Sequence, residues 1–228
     1  MFRQYSKILL LWILLINVCF FAQSQQTDTS QLNIDRIFNS NDFNAKGIGG
    51  LRWLKSGEAF SKIEPSSSVK GGTDLVSYDA ATNKRAVLVS AEKLVPKDAT
   101  APLPINGYDW SADNRQMLIY TNSKKVWRLN TRGDYWVLDI ASGKLTKLGG
   151  DAKSSTLMFA KFSPDGRRVG YVRENNLYVE NLADGNITQL TTDGSRTLIN
   201  GTSDWVNEEE LELRDCWRWS PDSKSIAY

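Results

Sequence analysis

The chain has 228 residues, 41 % hydrophobic and 24 % charged, with eight Trp and no His. Without His, this sequence can build neither a Ser-His-Asp triad nor a His-ligated zinc or haem site. Its formal net charge of +2 gives no electrostatic case for nucleic-acid binding, and no nucleic-acid partner is expected.

The predicted elements begin with an address. Arg3 and Lys7 precede an almost unbroken apolar run over residues 8–21, and Ala22-Gln23-Ser24 offers small residues for cleavage. This is the layout of a secretory signal peptide over residues 1–24. The run is short against the roughly 20 residues needed to span a bilayer. The protein is therefore expected to be exported, to the periplasm or beyond the cell. Loss of Arg3 and Lys7 leaves 26 basic against 26 acidic residues, and Cys216 as the one remaining cysteine. No internal disulfide can then form, and Cys216 is expected to be a small buried hydrophobe beside Trp217. Residues 25–45 read as a leader, polar up to Gln31. The spacing of Leu32, Ile34, Ile37 and Phe38 predicts one short helix in it.

Residues 46–228 carry a repeat. An aromatic, a polar turn and an apolar residue seven positions after the aromatic recur four times: Trp53 to Phe60, Trp110 to Met117, Phe162 to Val169, and Trp219 to Ile226. Turns such as Ser163-Pro164-Asp165-Gly166 have a mechanism, because Pro presets φ and Gly accepts positive φ. Further strands follow each copy, over 135–140 and 145–148 after the second, and over 167–173, 177–182 and 187–190 after the third. Each unit thus holds about four short antiparallel strands, the make-up of a propeller blade. The aromatics stand 57, 52 and 57 residues apart, longer than the roughly 40–50 of common propeller repeats, which implies insertions. The predicted fold is all-β, a partial β-propeller of about three four-stranded blades and the start of a fourth. Blades bury their faces against one another, so the sequence reads as the front of a longer protein.

Two stretches between the strands carry chemistry. Asp204-Trp205-Val206-Asn207-Glu208-Glu209-Glu210-Leu211-Glu212 breaks the strand pattern. Its composition suits a short helical insertion, with Asp204 as N-cap and acids near the positive end of the dipole. Clustered carboxylates suit an ammonium group, through charge-assisted hydrogen bonds. They suit a metal less well, since hard cations prefer loop-spaced oxygens; neither a metal nor a cofactor is expected. Arg128, directly after Trp127, carries a planar fork fit for a carbonyl or carboxylate. Arg132-Gly133-Asp134 spells a cell-adhesion tripeptide but reads as coincidence at the entry to a strand. Asn186-Ile187-Thr188 and Asn200-Gly201-Thr202 match the N-glycosylation pattern.

The Asp204-Trp205-Val206-x-Glu208-Glu209-Glu210 segment, with Trp219-Ser220-Pro221-Asp222 after it, resembles the double-Glu region of the dipeptidyl peptidase IV family. Val126-Trp127-Arg128, followed by the strand at Tyr135, resembles that family's arginine segment. The resemblance implies an eight-bladed N-terminal propeller joined to a C-terminal α/β-hydrolase domain. It also implies a serine exopeptidase that frees dipeptides, with Pro or Ala second, from peptides with a free N-terminus, and it allows for a homodimer of the complete enzyme. By the same resemblance Glu209 and Glu210 would bind the substrate α-amino group and Arg128 a substrate carbonyl. Two positions depart from the pattern: Asn207 stands where Tyr is common, and Ser223 where the turn has Gly. No Gly-x-Ser-x-Gly elbow occurs, so no catalytic residue is expected here and the chain by itself is expected to be inactive. The alternative is a non-enzymatic exported propeller that binds a protein partner.

Overall fold

The computed structural model describes residues 31–45 and 50–228. The predicted signal peptide, residues 25–30 of the leader and residues 46–49 lie outside the described residues. The chain divides into two compact units, Met1–Gly47 and Ile48–Tyr228.

In the first unit the expected helix is present as α1, Ile34–Phe38. The Asn33 side chain caps it by accepting the Arg36 N–H at 2.8 Å, and Arg36 pairs with Asp42 at 2.8 Å. None of the helical residues is buried.

The second unit is a succession of antiparallel meanders. β1 (Arg52–Trp53), β2 (Ala59–Pro65), β3 (Thr73–Asp79) and β4 (Arg85–Val89) form the first blade, in that order. β5 (Gly107–Trp110), β6 (Gln116–Val126), β7 (Leu129–Asp139) and β8 (Leu145–Lys147) form the second. β9 (Leu157–Phe162), β10 (Arg168–Arg173), β11 (Asn176–Asn181) and β12 (Ile187–Gln189) form the third. β13 (Arg218–Trp219) and β14 (Ile226–Ala227) begin a fourth. The repeat read from the sequence is a register rule. Trp53 pairs with Phe60, Trp110 with Met117, Phe162 with Val169 and Trp219 with Ile226 across the first hairpin of each blade.

The turns of the second, third and fourth copies are built alike. The Ser hydroxyl donates to the Asp two residues on, 2.7 Å for Ser111–Asp113 and 2.6 Å for both Ser163–Asp165 and Ser220–Asp222. Each Asp accepts a backbone N–H two residues further along at 3.1 Å, and each Ser oxygen accepts one five residues along. These bonds hold all three carboxyls below the usual range, the Ser hydroxyl being the largest cause. The next residue takes positive φ: Asn114 at 57°, Gly166 at 69° and Ser223 at 63°.

The core sits between the blade faces. Leu75, Val89 and Leu94 of the first blade and its following one-turn 3-10 helix pack on Tyr108, Met117, Ile119 and Leu138 of the second. Leu118, Tyr135, Val137 and Leu148 pack on Leu157, Val169, Tyr171 and Tyr178 of the third. Met158, Val172 and Leu177 then pack on Trp217, which is 1 % exposed. Burial of each such side chain contributes roughly 1.5–3 kcal/mol. Cys216, beside Trp217, is only half-buried, short of the buried position expected for it.

The structure departs from the sequence reading in the second blade. The strand expected to start at Tyr135 starts at Leu129, and β6 runs on to Val126 to meet it. The resulting hairpin stands out beyond the rest of its blade. Its polar outer part shows no clean alternation, and the register shifts twice between Thr121 and Lys125. Gly133 makes the close pairing feasible: a Cβ there would run into the Tyr120 ring and lie 2.7 Å from the Thr121 carbonyl oxygen. The Tyr120 hydroxyl meets the Asn130 and Arg132 carbonyls, each at 2.8 Å, and burial pushes its pKa to about 12. Gly133 also pairs with Leu157 of β9, which joins the second and third blades edge to edge.

Candidate functional site

The two stretches singled out in the sequence meet. The first is the tip of the β6–β7 hairpin, a two-residue turn of Trp127 and Arg128. Trp127 takes φ of 56°, a positive value of the kind that tight hairpin turns require and a bulky side chain resists. The base of this arm is tied down through Asp134, which is 7 % exposed. Asp134 accepts from the Ser155 N–H and the Asn122 amide, both at 2.8 Å, and from the Ser154 hydroxyl at 3.2 Å. Burial alone would raise its pKa, but these bonds and Lys147 hold the carboxyl below its ordinary range. With Gly133 and Asp134 buried and only Arg132 exposed, the Arg132-Gly133-Asp134 tripeptide serves the hairpin.

The second is α2, Trp205–Leu211. Asp204 caps it as expected, accepting the Asn207 N–H at 3.0 Å and the Asn207 side-chain amide at 2.9 Å. Glu212 ends it in the left-handed region, φ 51°. The chain then doubles back: the Leu213 N–H donates to the Asn207 carbonyl at 3.1 Å and the Ser203 N–H to the Arg214 carbonyl at 3.2 Å, while Thr202 bridges to Asp215. This return brings Arg214 against Glu208.

Four charged side chains result. Arg128 forms an ion pair with Glu209, and the Arg214 Nε stands 3.2 Å from the Glu208 carboxylate. The Arg214 guanidinium also lies over the Trp127 ring, 4.3 Å from its centre, so it touches both stretches. Arg128 is 77 % exposed, whereas the Glu208 and Glu209 side chains are 1 % and 4 % exposed. None of the four oxygens of these two carboxylates accepts a directed hydrogen bond among the described residues. The two arginines offset the charge of these carboxylates, but oxygens without a directed hydrogen bond still carry a desolvation cost of about 1–3 kcal/mol. The arrangement can repay that cost to a small cation with several N–H donors.

Of the three residues assigned from the sequence, Arg128 and Glu209 come together. Glu210 does not join them: it lies exposed on the helix. The buried acid next to Glu209 in the chain is Glu208, whose pairing with Arg214 the sequence did not suggest. Three consecutive Glu point in three directions round a helix, and the apolar residues that would mark the inner face give the wrong answer. Val206 and Leu211 are exposed, at 54 % and 66 %.

Below the site, Lys161 of β9 contacts Asp215 at 2.5 Å and lies 3.9 Å from the Trp217 ring centre. Asp215 also holds Arg218 at 3.2 Å. Burial lowers the Lys161 pKa to about 8. Of the two glycosylation patterns, Asn186 lies exposed in a turn, whereas Asn200 is buried with its amide on Asp193 at 2.9 Å.

Residues 111–228 match the family described as the dipeptidyl peptidase IV (DPP IV) N-terminal region. A probable dipeptidyl-aminopeptidase B of Arthroderma benhamiae is 38 % identical over 120 residues, 52 % of this chain and 13 % of its own length. A putative dipeptidyl aminopeptidase of Schizosaccharomyces pombe is 32 % identical over 180 residues, 78 % of this chain and 22 % of its own. The chain thus spans about a fifth or less of these relatives. The crystal structure of Porphyromonas gingivalis dipeptidyl peptidase 4 superposes with a TM-score of 0.72 at 27 % identity, over 84 % of this chain and 26 % of that one.

Proposed function

This chain belongs to the dipeptidyl peptidase IV family, as part of its N-terminal region, and from that premise we propose that it recognises the free N-terminus of peptide substrates for an exported dipeptidyl peptidase. The observation that carries the reading is the pair of buried carboxylates on α2, Glu209 against Arg128 and Glu208 against Arg214, neither with a directed hydrogen bond among the described residues. An α-ammonium brings three N–H donors and one positive charge, which suits buried carboxylates that accept no directed hydrogen bond. Glu209 keeps the role the sequence suggested. Glu208 takes the second place, because Glu210 is exposed.

The exposed Arg128 can leave Glu209 when an ammonium arrives and turn its fork to a substrate carbonyl. Two fixed carboxylates and one arginine then set the distance from the peptide's free end to the bond that is cut. A blocked N-terminus has neither the charge nor the donors, so the site selects exopeptidase substrates. The bond-breaking residues belong to an α/β-hydrolase part outside this chain, and no cofactor is called for. Export and pairing of two complete enzymes are parts of the same proposal.

The test is the full-length protein acting on Ala-Pro-p-nitroanilide and on its N-acetyl form. The free-amine substrate should turn over, the acetylated one should not, and Glu209→Ala should cost about 1.5–3 kcal/mol in kcat/KM. Unchanged kinetics in Glu209→Ala would reject the role. Release of p-nitroaniline by residues 1–228 alone would reject the division of labour.

A further inference from the structure

Arg214 has no part in the proposed recognition, yet it touches both stretches of the site, Glu208 of α2 and Trp127 of the hairpin tip. It leaves the chain just after the left-handed Glu212, with its carbonyl tied to the Ser203 N–H. Its side chain is 9 % exposed. One edge faces Glu208 of α2, and one face covers the ring of Trp127 at the hairpin tip. Trp127 is the residue directly before Arg128 and is held at positive φ, which a bulky side chain keeps only when its surroundings fix it. The other titratable groups acting on Arg214 are Arg132 of β7, the Asp204 cap and Cys216. Burial pulls its pKa down, Glu208 pulls it back up, and Arg132 lowers it again.

We infer that Arg214 is a positioning residue for peptide recognition, which fixes Glu208 and, through Trp127, sets where Arg128 stands relative to the two glutamates. The inference rests on the proposed reading of the site. Its physical basis is that one planar cation can pair with a carboxylate along its edge while it stacks on an aromatic face. A lysine offers the charge without the plane. Arg214 also offsets part of the charge of Glu208, which leaves the exposed Arg128 as the cation that a substrate ammonium displaces.

The experiment measures binding of Ala-Pro-amide and N-acetyl-Ala-Pro-amide to the full-length protein, as wild type, Arg214→Met, Arg214→Lys and Trp127→Leu, with thermal unfolding of each. Arg214→Met should bind the free-amine peptide at least tenfold more weakly and leave binding of the acetylated peptide within twofold. Arg214→Lys should recover part of the loss, and Trp127→Leu should lose affinity while the Arg214–Glu208 pair stays. A merely structural role would weaken both peptides together, in step with a fall in Tm. That result, or free-amine binding unchanged in Arg214→Met, overturns the inference. Should Arg214→Met not fold, Arg214→Lys and Trp127→Leu decide by the same ratio. A wild-type protein that does not distinguish the two peptides rejects the reading of the site, and the inference with it; one that does, beside an indifferent Arg214→Met, rejects the inference alone.

Discussion

The Ser223 hydroxyl accepts the Asp165 N–H at 3.0 Å, joining two turns that lie 58 residues apart in sequence. Ser223 is 2 % exposed and sits at φ 63°, where the equivalent turn of the third blade has Gly166. The serine departs from turn preference because its hydroxyl links the fourth blade to the third. Arg168 adds a guanidinium bond to the Ser223 carbonyl.

Ser223→Ala keeps the left-handed strain and removes the bond, so it should lose about 0.5–1.5 kcal/mol. Ser223→Gly removes the bond but also the strain, worth about 1 kcal/mol, and should come out close to neutral. Urea unfolding of the two variants beside wild type checks the order.

Glu208→Gln, Glu209→Gln and Glu210→Gln separate the two assignments of the acidic pair. The first two should each lower kcat/KM for a free-amine dipeptide substrate by about ten- to a hundredfold, the worth of one charge-assisted hydrogen bond. Glu210→Gln, on an exposed position, should stay within about twofold. A large effect at Glu210 and none at Glu208 would restore the assignment made from the sequence.

Gly133→Ala should open the base of the hairpin, since the new methyl meets the Tyr120 ring and the Thr121 carbonyl oxygen. The expected cost is about 1–3 kcal/mol. Because Arg128 rides on this hairpin, affinity for a free-amine peptide should fall more than global stability does. Thermal unfolding and peptide titration on the same preparation measure both.

Lys161 makes stability depend on pH in a defined direction. Its folded pKa of about 8 lies below the unfolded value of about 10.5, so between those values the unfolded chain binds the extra proton. Stability linked to Lys161 therefore rises as pH increases through 8 and is least below it. The buried tyrosines act oppositely above pH 10, since burial raises the pKa of Tyr120, Tyr135 and Tyr171. The difference between wild type and Lys161→Met, followed by denaturant midpoint from pH 7 to 9.5, isolates the lysine. A difference that stays flat across that range would contradict the linkage.

The blade pattern was legible because one aromatic and one apolar residue seven positions on pair directly across the first hairpin of each blade, so the turn length fixes their spacing. The Asp204 cap was legible from local chemistry alone. The outer half of the β6–β7 hairpin was not, since Lys124, Lys125, Asn130 and Arg132 are polar and the register shifts hide the alternation. What pairs those strands is the missing side chain of Gly133 and the hydroxyl of Tyr120, neither of which leaves a periodic signal. That Glu208 is buried and Glu210 exposed has a similar cause. Helix faces are read from apolar residues, and around α2 the apolar residues point outward while a carboxylate points in.

The single pairing of Gly133 with Leu157 makes the β6–β7 arm a pointer carried by two blades at once. From Gly133 to Arg128 the strand spans five residues, about 17 Å at 3.3 Å each. A tilt of about 3° at that root sweeps the guanidinium through roughly 1 Å, on the scale that separates a made ion pair from a strained one. Small changes in how the second and third blades lean on each other are thus read out, magnified, at the one exposed charge of the site.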